Sequence, residues 1–174
     1  MTIVIRGGTL LPMGDGPSVM RGDILVRGRQ IAAVGKVAAV GKVAAPTDAE
    51  VIDASGCYVM PGLVQTHVHL VQTLFRGLAE DLSLLEWLRR RVWPLEAAHD
   101  ETSLRARVRL GLLDLLVTGT TTVLDMGTTH GGDIVAEEIV RSGIRARFGQ
   151  AMMDAGEGVP PKLKETTRGS LDAS

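Results

Sequence analysis

The sequence predicts an α/β fold, and three observations carry that prediction. The first is a change of pattern at Pro61-Gly62, from short glycine-punctuated strands to alternating strands and helices. The second is the order strand–helix–strand–helix–strand with short connections, which implies parallel pairing and right-handed crossovers. The third is composition: 45% hydrophobic and 22% charged residues in a chain of 174 suit a globular protein rather than a disordered one.

The first segment, residues 1–57, reads as an incomplete small β-sandwich or partial barrel. "TIVIRGGTLL", "GDILVRGRQIAAVG" and "AEVIDASGCYVM" carry β-branched residues bounded by Gly, Pro or Asp. Gly28-Arg29 is expected to be a tight hairpin turn. A tandem repeat, "AAVGKV" at 32–37 and again at 38–43, keeps its inward and outward faces because six is an even number. It reads as a lengthened hairpin or loop with no catalytic role.

The second segment, residues 58–174, opens with "LVQTHVHL", a buried strand. Ser83-Leu84-Leu85-Glu86 has the form of a capping box, opening a helix that Pro94 should end. A helix from Asp100 places Leu104, Val108, Leu112 and Leu115 on one face, with Gly119 as its C-terminal cap. "TTTVLDM" is the next strand. Asp133 is expected to cap a helix ending at Gly143, and "IRARFGQAMM" follows as a strand. The tail begins as a Gly/Pro loop and enters a helix near Lys162.

Charge and cysteine content narrow the function. Lys+Arg is 19 and Asp+Glu is 20, so no basic excess exists to follow a phosphate backbone, and no nucleic-acid partner is expected. Leu110–Val117 is short and carries Asp114, so no membrane span is expected. Met1–Leu10 lacks a signal-peptide pattern, and the single cysteine, Cys57, cannot close an internal disulfide. A cytoplasmic location follows as the expectation.

The chemistry-bearing feature is His67-Val68-His69. In a strand, residues i and i+2 project from one face, so two imidazoles stand side by side while the valine points away. That geometry suits a shared cation, with metal–nitrogen distances of about 2.0–2.1 Å. The pair sits at the C-terminal end of the first parallel strand, the end at which barrel enzymes build their sites. A cupin reading fails: its pattern wants a glutamate about four residues on, but position 73 is Thr and the next acidic residue is Glu80.

"VIDASGCYVMPGLVQTHVHL" resembles the amidohydrolase superfamily, in which a small β-domain leads through Pro-Gly into strand one of a (β/α)8 barrel. "QTLFRGLAEDLSLLEWLRRRVWPLEAAHDE", "GTTTVLDM" and "RARFGQAMMDAGEGVP" continue the likeness across essentially the whole chain. Together they look like the branch of metal-dependent aminohydrolases and chlorohydrolases that act on purines, nucleosides and triazines. The resemblance implies about the first three βα units of a TIM barrel, with His67 and His69 as ligands of one divalent ion, zinc or alternatively iron. It implies hydrolytic deamination of a small heterocyclic substrate by metal-activated water. The rivals are a non-catalytic truncated product or assembly module, and a cyclic amidase or triazine chlorohydrolase.

In the family, further ligands come from strands five, six and eight, and a glutamate near strand six shuttles protons. Residues 58–174 provide 117 positions, against about 250 for a whole barrel. Catalytic residues are therefore expected beyond Ser174, and the isolated chain is expected to be inactive. Trp87 and Glu96 match positions that enclose the substrate in nucleoside-deaminating relatives, the glutamate accepting from sugar hydroxyls. His130, in the loop after the second parallel strand, is a candidate for the pocket wall. Gln150 stands where some relatives carry an arginine. His99 reads as a solvated surface residue, Cys57 as buried packing, and Asp125 as a structural acceptor or a neighbour of the site. An open sheet edge implies self-association.

Overall fold

The computed structural model describes residues 1–36, 47–78 and 81–174. The chain divides into two compact units, Met1–Pro61 and Gly62–Ser174. Among the described residues, no helix is long and apolar enough to cross a membrane.

The first unit is built on Thr2–Leu10 (β1), Met20–Arg27 (β2), Gln30–Lys36 (β3), Glu50–Asp53 (β4) and Tyr58–Val59 (β5). They form one mixed sheet in the order β3-β2-β1-β4, with β5 also pairing to β1. That last pairing carries the unit on to Pro61 rather than stopping it at residue 57. The expected sandwich needs a second, facing sheet, and the described residues of this unit form only this one. Gly28-Arg29 does form the two-residue turn between β2 and β3, with Gly28 at φ 60° and Arg27 opposite Gln30. The second copy of AAVGKV lies outside the described residues.

The second unit holds Leu63–Val68 (β6), Thr120–Asp125 (β7) and Arg145–Phe148 (β8), a parallel sheet in sequence order. Its helices are Leu84–Trp87 (α1), Trp93–Ala97 (α2), Glu101–Val117 (α3), Gly132–Ser142 (α4) and Thr167–Asp172 (α5). A 3₁₀ turn, Leu70–Phe75, follows β6 directly. The core forms where Leu104, Val108 and Leu112 of α3 meet Leu70, Val71 and Val123, with Val135 and Ile139 of α4 beside them. Arg105 and Arg109 of α3 both bond the buried Glu138 of α4, and the two hold its carboxyl down to about 2.

Three local expectations are corrected. Pro94 does not end a helix: α1, a π-helical stretch at Leu88–Val92 and α2 run on to Ala97, with Pro94 in the first turn of α2. Widening the helix just before the proline relieves the clash its ring makes with the preceding turn. Ser83 starts α1 but makes no capping bond to the backbone; its hydroxyl donates to Glu86 Oε2 at 3.1 Å. The helix at α4 is preceded by Gly131 at φ 72°, and Asp133 sits inside its first turn.

Candidate active site

His67 is the fifth residue of β6, and His69 is the first residue past the strand's end. Their ring centroids lie 5.0 Å apart with an interplanar angle of 74°. The end of β6 is held by β7. Val68 lies opposite Asp125, and Met126 N–H donates to Val68 O at 3.0 Å. Asp125 is 1% exposed; its Oδ2 accepts from Leu70 N–H at 3.0 Å and its Oδ1 from Gly127 N–H. Burial pushes this carboxyl above the usual carboxylate range, against the pull of the two N–H groups and the nearby histidines. Gly127 takes φ 81°, and a Cβ there would lie 1.8 Å from Gly149 O, so only glycine closes this turn.

His69 is half-buried, and desolvation, then the neighbouring His67, hold its imidazole below the usual histidine range. That favours the neutral ring, the form that binds metal. Gln72, one turn of the 3₁₀ segment later, brings its Nε2 to 3.4 Å from His69 Nδ1 and donates to Glu96 Oε1 at 2.8 Å. The sequence reading missed Gln72. The available signal was its i+3 spacing from His69, which stacks the two in a 3₁₀ turn.

The structure brings His67, His69, Gln72 and Trp87 to the wall of one cavity of about 750 Å³. Glu96 reaches this group through Gln72, and burial pushes its carboxyl up while Gln72 and then Arg107 draw it down. His130 stands elsewhere on the unit, lining a cavity of about 470 Å³ with Phe148 and Gln150. Burial and then Lys162 lower its titration, and its Nε2 has no hydrogen-bond partner among the described residues.

Two expectations fail at residues near these groups. His99 is not a surface histidine: it is 3% exposed, its ring stacks on Phe75 at 5.9 Å, and Arg107 lies 3.1 Å from its Nε2. Cys57 is exposed rather than packed.

Among the described residues, no three His, Cys, Asp or Glu side chains converge to hold a metal ion. His67 and His69 fit two positions of a divalent site by donor type and proximity. Asp125 is buried beside them, its oxygens accepting from the backbone N–H groups of Leu70 and Gly127, and it does not converge with the pair into a three-ligand group. Catalytic zinc usually takes three protein ligands, so the pair leaves the shell incomplete.

Residues 58–173 match the amidohydrolase family, and the chain belongs to it. It is 37% identical over 160 residues to the 5-methylthioadenosine/S-adenosylhomocysteine deaminase of Haloquadratum walsbyi, across 90% of this chain and 36% of that protein. Among solved structures, E. coli guanine deaminase superposes with a TM-score of 0.83 at 28% identity, over 97% of this chain and 41% of that one. The atrazine chlorohydrolase of Arthrobacter aurescens TC1, solved with zinc, gives 0.79 at 26% identity, over 98% of this chain and 41% of that one. The chain thus spans about a third of the length of the curated relative.

Proposed function

We propose that this chain carries the first three strands of a (β/α)8 barrel belonging to a metal-dependent hydrolase of non-peptide C–N bonds. The reaction is hydrolytic deamination of an aminated purine, nucleoside or similar heterocycle. One observation carries this reading: two imidazoles stand together at the C-terminal end of the first parallel strand, on a cavity shared with Trp87. The deaminases among the relatives support it, as does a zinc-containing neighbour.

When bound, a divalent cation supplies Lewis acidity and a water whose pKa falls to about 7. His67 and His69 would hold it, zinc by donor preference, with His69 kept neutral by its surroundings. Trp87 offers a flat apolar face to a heterocycle. Glu96, which Gln72 bonds in this structure, is the acceptor for substrate hydroxyls. His130 lines a separate cavity and takes no part in this pocket.

The test assays ammonia release from an adenosine-type nucleoside and from guanine, and chloride release from a chlorotriazine, by a protein joining this chain to the remaining barrel strands. Ammonia release lost in His67→Ala and in His69→Ala is the expected result. Chloride release without ammonia release establishes the rival dechlorination, which the chlorohydrolase neighbour favours. Turnover unaffected by either substitution overturns the site. These 174 residues alone, with zinc added, are expected to release no ammonia, because two imidazoles do not complete the metal shell.

A further inference from the structure

The amide of Gln72 lies between two groups with opposite needs. Its Nε2 is 2.8 Å from Glu96 Oε1 and 3.4 Å from His69 Nδ1. An ionised carboxylate has no hydrogen to give, so Glu96 turns the NH₂ of the amide inward, not its carbonyl. The second hydrogen of that NH₂ then faces His69 Nδ1. A neutral imidazole accepts at Nδ1 only when its own hydrogen sits on Nε2. The shorter contact, to the carboxylate, fixes the direction of the longer one. Gln72 N–H also donates to His69 O at 3.1 Å, so the backbone of the turn holds the amide in place.

We propose that Gln72 is a positioning residue that couples Glu96 to His69, the carboxylate orienting the amide and the amide selecting the imidazole tautomer. Under the reading above, this has a consequence for the site. The Nε2 lone pair becomes available to a cation only when the ring hydrogen sits on Nδ1, where it needs an acceptor. Gln72 provides one by turning its carbonyl inward, which breaks its bond to Glu96. Were His69 to hold a cation, Gln72 would turn its carbonyl inward and the Glu96 carboxylate would be free to accept from a ligand hydroxyl.

The coupling itself involves neither metal nor substrate, so its test is independent of the proposed reaction. Chelator-treated protein with ¹⁵N-labelled histidine is examined by long-range ¹H–¹⁵N correlation at about pH 8, above the ordinary histidine range. The His69 signals are assigned by their loss in His69→Ala. The wild-type ring is expected to show Nε2 protonated and Nδ1 bare. In Gln72→Leu both nitrogens should move to the averaged shifts of mixed tautomers. Glu96→Gln should do the same, because a second amide can present either face to the first. A residue that only packs would change stability and leave the tautomer as it was. Wild-type protein with its hydrogen on Nδ1, or an unchanged tautomer in either folded variant, overturns the proposal. Should Gln72→Leu fail to fold, Glu96→Gln and the wild-type spectrum decide it.

Discussion

His99 shows how burial and neighbouring charge reset a single residue. Desolvation and then the Arg107 guanidinium push its imidazole down to about 4, from an ordinary value of 6.5. The unfolded chain therefore binds a proton there between those limits while the folded chain does not. Stability from this group is complete above about 6.5 and is lost progressively as pH falls toward 4. His99→Phe keeps a flat ring against Phe75 and removes the titration, so the fall in denaturation midpoint across that window should become shallower. It should not vanish, because His69 and His130 are shifted in the same direction. Midpoints measured at a series of pH values check this, and an unchanged slope contradicts it. The burial was hidden from a local reading. Lys162, which donates to His99 O at 2.7 Å, is 63 residues away, and Phe75 belongs to the turn after β6.

At the scale of elements, α3 separates what periodicity reveals from what it leaves open. Its apolar spacing places Leu104, Val108 and Leu112 on one face, and these residues are buried against the sheet and α4. Leu112 is 3% exposed and its neighbour Leu113 is 55% exposed. Leu112→Ala should cost about 2–5 kcal/mol through lost transfer energy and a residual cavity, while Leu113→Ala stays within about 0.5 kcal/mol. Urea midpoints for the two variants test the register of the helix, and equal effects would refute it. β7 was readable because burial patterns it, but β6, expected as a buried strand, is exposed from Leu63 to His67, so only its β-branched residue types marked it. Helix ends were not readable. The continuation through Pro94 depends on a π-helical widening, and Ser83 leaves the first turn of α1 without a side-chain cap, neither of which the residue types dictate. In the candidate site, the pairing of His67 with His69 was legible because i, i+2 geometry is local. The link from His69 through Gln72 to Glu96 crosses from one element to another, and only the folded chain shows it.

For the whole molecule, the decisive feature of the second unit is what its sheet leaves uncovered. Among the described residues, β6 pairs only with β7, and β8 only with β7, so each carries one unpaired edge. Leu63 and Val64 of β6 are 49% and 63% exposed, and Leu124 of β7 is 49% exposed. An unpaired strand with apolar side chains is a template for joining another chain, whereas a lysine at such a position opposes it by keeping its charge solvated. The 174-residue chain should therefore self-associate, and Val64→Lys should weaken the association without disturbing the core, since Val64 is 63% exposed and is not one of the buried cluster. Sedimentation velocity over a concentration series measures both effects. The wild-type mass should rise with concentration, and the Val64→Lys mass should stay closer to the monomer. A wild-type chain that remains monomeric throughout, with a cooperative melt, would show that the open edges are guarded by some feature other than charge.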